Sequence, residues 1–418
     1  MAMGSDVEPV DVFAARARAW LAENMSPELG GVRRDEGEEG DRRFAARARQ
    51  LQRRLWDGGF AGIAFPAAYG GLGLTPEHQR AFTAEAAPYE MPRLFNVPTL
   101  GILAATLLDC GTEEQKRRHL PAILRGEELW VQFLSEPSGG SDLAGCLTRA
   151  TRDGDVWILN GSKIWSSGAH RSDYAMILAR TDWDAPKHRG LTMFIMPVHQ
   201  PGVQIDRIKQ VNGSMEFCQE FFDDVVIPGA DVVGGVNDGW TVASRLLVHE
   251  RAAVGGGSPY VTGAMSAGGS GRPPDLAWLA RHLGRQEDPL VRQMVAEAHV
   301  LERVHEQFVA RLTTGLETGY YPPAAGALVR LHLGENAVRM SDLSMRIAGP
   351  DAVAGDDDVT GLYGQWYLGR QASCLGGGST EMARNIISER ILGMPREFAA
   401  DRQLPFSQVR RNELPDRS

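Results

Sequence analysis

Leu375-Gly-Gly-Gly-Ser-Thr-Glu-Met-Ala-Arg-Asn-Ile-Ile-Ser-Glu-Arg-Ile-Leu-Gly-Met-Pro-Arg396 is a glycine-rich turn that runs straight into an amphipathic helix. Successive glycines leave a backbone that a ligand can approach closely. The helix is expected from about Glu381 to Leu392, with Glu381 where an acidic side chain favours a helix N-terminus.

Upstream of this turn the pattern is helical back to Trp240. Asp288-Pro289 supplies an N-cap and a first helical residue for a helix reaching Leu312, and another is expected from about Ala324 to Ile347. The stretches Gly255 to Pro274 and Ala354 to Asp358 read as loops, and their place beside the expected site residues suggests gating. From about Val131 to Pro228 the period switches to that of strands. Asp153-Gly154 and Asn160-Gly161 read as two-residue hairpin turns around Val156 to Leu159. Further strands are expected at Tyr174 to Ala179, Leu191 to Val198, Gly202 to Ile208 and Glu216 to Phe222. The first part is helical again: Asp11 to Ala22, Phe44 to Leu55, and a helix capped by Thr112 that runs towards Leu124. The expected fold is α+β: an N-terminal helical domain over 1–127, a central antiparallel β domain over 128–236 and a C-terminal helical bundle over 237–418.

A chain of 418 residues with 43% hydrophobic and 23% charged content is long enough to bury two or three cores. Its formal net charge of -9 argues against wholesale nucleic-acid binding. The sequence shows neither a long apolar run nor a secretory or transit pattern, so a cytoplasmic protein without membrane insertion is expected. Only Lys116, Lys163, Lys187 and Lys209 among the 44 basic residues are lysines, a bias that fits a GC-rich bacterial genome. Cys110, Cys146, Cys218 and Cys374 have no paired spacing and the histidines form no ligand motif, so no disulfide framework or metal site is indicated.

No Rossmann or P-loop glycine pattern occurs. The candidate for holding a cofactor is Phe133-Leu-Ser-Glu-Pro-Ser-Gly-Gly-Ser-Asp-Leu143, where hydroxyls and glycine amides converge at the entry to the β domain. By itself this is a Gly/Ser turn, and Gly161-Ser-Lys-Ile-Trp-Ser-Ser167 by itself is a strand with a core tryptophan. In order along the chain come these two, then Phe222 to Pro228, Asn237-Asp-Gly-Trp240 and the C-terminal turn, and together they resemble the acyl-CoA dehydrogenase family from about Val10 to Arg396.

That resemblance implies an FAD-dependent oxidoreductase of fatty acid metabolism type that introduces an α,β double bond into an acyl thioester. Phe133, Leu134 and Ser135 would line the flavin, Gly140 and Ser141 would meet cofactor phosphate, and Trp165 and Ser167 would cover the ring face and its N5 edge. Gly349 is the retained residue of a contact to a neighbouring subunit's cofactor, in a segment, Met345 to Pro350, that otherwise departs from the family's Gln-x-x-Gly-Gly. Ser141, Arg251, Gly376 and Gly378 are the expected substrate contacts. The resemblance also implies acyl-CoA or acyl-carrier-protein thioesters as substrates, an electron-transfer flavoprotein or similar acceptor, and a homodimer or homotetramer.

Gly377 stands where many family members carry their catalytic glutamate. An α-C–H next to a thioester is a weak acid, so a desolvated carboxylate must reach it while the carbonyl oxygen is polarised. Gly377 retains only its backbone N–H for that oxygen. Glu381 is read as structural. Glu250, in Leu246-Leu-Val-His-Glu-Arg-Ala-Ala-Val254, matches the position from which isovaleryl-CoA and long-chain members deliver their base, and is the expected one. Two alternatives share the scaffold: a catalytically empty subunit of a heteromeric acyl-CoA dehydrogenase, and a flavin-dependent monooxygenase.

Overall fold

The computed structural model describes residues 7–27, 37–254, 257–261, 275–354 and 358–409. Most of the two stretches read as gating loops, 255–256 with 262–274 and 355–357, lies outside the described residues.

The chain opens with helices α1 (Val10–Asn24), α2 (Gly37–Asp57) and α3 (Pro76–Ala86). A buried π-helical segment, Phe95–Ala104, leads into α4 (Ala105–Cys110), and α5 (Glu113–Leu124) follows. Thr112 caps α5 as its sequence predicts: the hydroxyl accepts from the Gln115 amide while the Gln115 side chain returns to the Thr112 N–H. Among the described residues no helix is long and apolar enough to cross a membrane.

Strands β1 (Trp130–Phe133), β2 (Arg149–Asp153), β3 (Val156–Ser167), β4 (Tyr174–Arg180), β5 (Leu191–Pro197), β6 (Val203–Arg207), β7 (Phe217–Pro228) and β8 (Val232–Val233) form the middle layer. They join in the order β6-β7-β3-β2-β4-β5-β8, mainly antiparallel, with β1 added parallel to β4. The sheet curls around its own core, so that Trp157 of β3 meets Phe194 of β5 edge-on. β4 and β5 are buried on both faces, the outer one against the N-terminal helices, which explains their unbroken apolar runs.

The hairpin expected at Asn160-Gly161 does not form. β3 runs through these residues with a bulge, because Asn160 pairs reciprocally with Asp224 of β7: its Nδ2 donates to Asp224 Oδ1 and its Oδ1 accepts from the Asp224 amide. Gly161 has φ +142, and a Cβ there would lie 2.8 Å from Thr148 Cα. A dipeptide that signals a hairpin locally is here overruled by a partner 64 residues away.

The C-terminal half comprises α6 (Gly239–Val254), α7 (Leu276–His282), α8 (Pro289–Glu317), α9 (Gly326–Ala348), α10 (Asp351–Ala354), α11 (Asp358–Gly369) and α12 (Thr380–Ile386), with a π-helical turn, Ile387–Ile391, extending the last. Asp288 caps α8 by accepting from the Leu290 and Val291 amides. α6 belongs spatially to the interface: Val242, Leu246 and Ala253 pack with Leu100, Leu103 and Leu191 in one core.

A buried ion pair fastens the 133–143 segment to the sheet. Lys163 Nζ lies 2.8 Å from Glu136 Oε1 and also donates to the Leu134 carbonyl, and Glu136 accepts from the amides of Leu147 and Thr148. Despite the opposing cost of burial, the Lys163 charge and these donors hold the Glu136 carboxyl down to about 2, against an ordinary 4.5. Lys163→Met should therefore cost about 3–5 kcal/mol, because it strands a buried carboxylate, and urea denaturation measures this. In the parent chain the Glu136 contribution should be complete above its unfolded value and vanish as the pH falls from the ordinary carboxylate range through about 2. An unchanged midpoint in the variant would show that the pair does not stabilise the fold.

Candidate functional site

α6 is aimed by its first residues. Asn237 (φ +65) donates its amide to Thr192 Oγ1 and accepts from Thr181 Oγ1, which ties the start of the helix to the β4–β5 connection. Gly239 lies so close that a Cβ would come within 2.6–2.7 Å of the Thr192 backbone. Three turns on, Glu250 is 8% exposed, and its Oε2 accepts from Gln132 Nε2 of β1 at 3.2 Å.

Glu250 and Gly377 meet across one cleft. Gly377 has φ +73, and a Cβ at that position would lie 3.4 Å from Glu250 Oε1 and 3.7 Å from Arg330 Nε. The cleft is narrow and partly open to solvent, lined by Glu250, Arg251, Arg330, Gly377 and the apolar Val254, Val329 and Leu333. Burial raises the Glu250 carboxyl above its ordinary 4.5, and the hydrogen bond from Gln132 and the charges of Arg251 and Arg330 oppose that rise. Such a carboxylate accepts a proton more readily than an exposed one. The Gly376 N–H is occupied by the Ala372 carbonyl, whereas the Gly377 N–H has no backbone partner among the described residues. Gly376 and Gly378 are exposed on either side. A wider hollow between α7 and α8, lined by Arg281, Arg292 and His299, contains none of the candidate site residues.

The second face of the site comes from the β domain. The Ile164 amide donates to the Ser135 carbonyl, so the 133–143 segment lies against β3 just before a second bulge. Trp165 is the extra residue of that bulge. Its φ of +67 turns the indole outwards, and it is 55% exposed, the one exposed tryptophan among the described residues. Ser166 points inwards and Ser167 outwards. Gly140 and Ser141 sit on the exposed tip of the neighbouring loop, where Lys187 pairs with Asp142. The side chains of Phe133 and Leu134 are buried in cores, which leaves their backbone as the part able to face a ligand. An outward aromatic plane beside glycine and serine amides is a surface that suits a flat ring with an anionic tail.

Gly349 is not brought to either face. It ends α9 with φ +68 near Arg285, whose Nη1 bonds the Ile347 carbonyl. Glu381 is exposed in the first turn of α12, where hydrogen bonds from its own amide and the Thr380 hydroxyl lower its carboxyl. His249, next to Glu250 in sequence, pairs instead with Asp109. Sequence reasoning missed Gln132 and Arg330. The only signal for Gln132 was one polar residue in the apolar Trp130–Phe133 strand, and for Arg330 there was no local signal at all.

Three models of the acyl-CoA dehydrogenase family match in order: the N-terminal domain over residues 10–127, the middle domain over 132–225 and the C-terminal domain over 237–392. Acyl-CoA dehydrogenase IpdE1 of Mycobacterium tuberculosis is 34% identical over 391 residues, 94% of this chain and 99% of the relative. Among solved structures, the Tcur3481-Tcur3483 steroid ACAD is 28% identical with a TM-score of 0.73, covering 93% of this chain and 99% of that one. The ChsE4-ChsE5 complex from M. tuberculosis is 25% identical with a TM-score of 0.70, covering 95% and 100%. With all three domain models matched and a relative aligned along almost its whole length, the chain belongs to the acyl-CoA dehydrogenase family of oxidoreductases.

Proposed function

We propose that this chain is an FAD-dependent acyl-CoA dehydrogenase whose base is Glu250. The observation that carries the reading is the meeting of a buried carboxylate with the bare Gly377 turn: Glu250 Oε1 lies 3.4 Å from the point where a side chain at 377 would begin. A base borne on α6 thus serves the cleft from the opposite wall.

The residues divide the work. Glu250 takes the α-proton, and its raised carboxyl keeps it basic enough for a carbon acid. The Gly377 N–H is the donor for the thioester oxygen, where enolate charge develops. Arg251, half-buried on the cleft wall, adds positive charge near the base without closing an ion pair with it. Trp165, Ser167, Gly140, Ser141 and the backbone of Phe133 to Ser135 are the residues that would hold FAD. Bound FAD supplies the acceptor for the hydride leaving the β-carbon. Gly349 is proposed to serve a neighbouring subunit, and an electron-transfer flavoprotein or similar carrier to take up the electrons.

A second reading has a specific observation behind it. Two neighbours of this fold are paired assemblies by name, Tcur3481-Tcur3483 and ChsE4-ChsE5, so this chain is proposed to work with a second, related chain or a second copy. If it is the base-carrying member, its buried Glu250 is functional; a catalytically empty subunit would have no use for it.

Glu250→Gln should retain a folded, yellow flavoprotein while the rate of anaerobic flavin bleaching by acyl-CoA falls by about 10²–10⁴-fold; full activity in that variant would sink the assignment. Gln132→Met removes a donor that holds the Glu250 carboxyl down. Stopped-flow bleaching across pH should then show an acid limb displaced upwards from that of the parent, and an unmoved limb would mean that the two groups are not coupled. FAD content of the chain purified alone tests assembly: flavin-free protein that turns yellow only with a related chain would support pairing with such a chain, and stoichiometric FAD in the lone chain would count against that need and leave pairing with a second copy.

A further inference from the structure

Arg330 has no role in the reaction as derived, yet it occupies the same cleft. It stands on α9, 7% exposed, and its Nε and Nη2 are buried without a hydrogen-bond partner among the described residues. Leaving guanidinium donors buried and unpaired is costly, and natural cores seldom retain them without a reason. Among the described residues Glu250 is the one carboxylate lining the cleft, but no ion pair joins it to Arg330, and the two interact by charge alone. Nε and one Nη form an edge of the guanidinium plane that fits an sp² oxygen or the two oxygens of a carboxylate. Arg330 Nε lies 3.7 Å from the point where a Cβ at Gly377 would stand, so an acyl group filling the space that Gly377 leaves open runs past it. The other cleft walls, Val254, Val329 and Leu333, offer no acceptor side chain.

We infer that Arg330 is a specificity-determining residue that recognises an sp² oxygen, ketone or carboxylate, carried on the acyl part of the thioester beyond the reacting carbons. The inference rests on the proposed dehydrogenase reading for the thioester itself. An acyl chain without such an oxygen leaves the two donors desolvated and unpaired, which is how a polar site rejects an apolar analogue. Burial makes the charged guanidinium of Arg330 costly while leaving it protonated, and an acceptor oxygen offsets that cost.

The test compares FAD-loaded parent protein with Arg330→Met and Arg330→Lys, using octanoyl-CoA, 5-oxo-octanoyl-CoA, 7-oxo-octanoyl-CoA and octanedioyl-CoA as probes. Isothermal titration calorimetry gives Kd and anaerobic flavin bleaching gives turnover. At least one oxygenated probe should bind the parent about 10–100-fold more tightly than octanoyl-CoA, the range of a charge-assisted hydrogen bond, and this ratio should collapse towards one in Arg330→Met and fall partway in Arg330→Lys. Which probe shows the preference separates ketone from carboxylate. A ratio that is the same in parent and variants, or near one throughout, would overturn the inference, as would a variant that only shifts the pH profile of bleaching. Should Arg330→Met not fold, the ratio in Arg330→Lys decides. An Arg330-dependent binding preference without bleaching by any thioester would uphold the recognition role and remove the dehydrogenase reading; bleaching by all probes with no such preference would do the reverse.

Discussion

The buried pair of Lys163 and Glu136 is the constraint on which both faces of the site depend. A full charge on each partner is kept out of water and is tolerable only because backbone amides, a carbonyl and a thiol complete the shell. The same shell fixes geometry. Lys163 binds the Leu134 carbonyl, and the next residue of β3 binds the Ser135 carbonyl, so the loop entering the β domain is stitched to β3 on consecutive residues. One residue further the strand bulges and Trp165 turns outwards. In the other direction, β1 ends two residues before Ser135, and its Gln132 reaches Glu250. One ion pair thus holds the aromatic face and the donor to the carboxylate in a common frame.

The environment of Glu250 balances opposing demands. Burial raises a carboxyl above its ordinary value, while a hydrogen-bond donor and nearby positive charge lower it. Gln132 and two nearby arginines moderate the effect of burial. Neither arginine makes an ion pair with the carboxylate, which would have suppressed its basicity.

Much of the architecture was legible because the hydrophobic period changes twice along the chain and because turn and cap signals are local. The Thr112 and Asp288 caps, the Asp153-Gly154 turn and the long helices depend on residues within four positions of one another. Asn160-Gly161 misled for the complementary reason: its outcome is decided by Asp224 on another strand. Within the site, Glu250 and Gly377 were readable together only through the resemblance to a family, since no local pattern links residues on α6 with those in the last turn. Glu136 and Lys163 both lay in motifs that were singled out, yet their pairing is a tertiary fact. Gln132 and Arg330 acquire meaning only once β1, α6 and α9 are side by side.

Gly239 carries one more implication. Because a side chain there would collide with the backbone of Thr192, the origin of α6 is closed to variation, and with it the line along which the carboxylate approaches. Positions 330 and 377 face the same space from elements that this contact does not restrain. A change at 377 therefore reshapes the open side of the cleft without moving the anchor of α6, whereas a change at 330 also alters the charge that the Glu250 carboxylate feels.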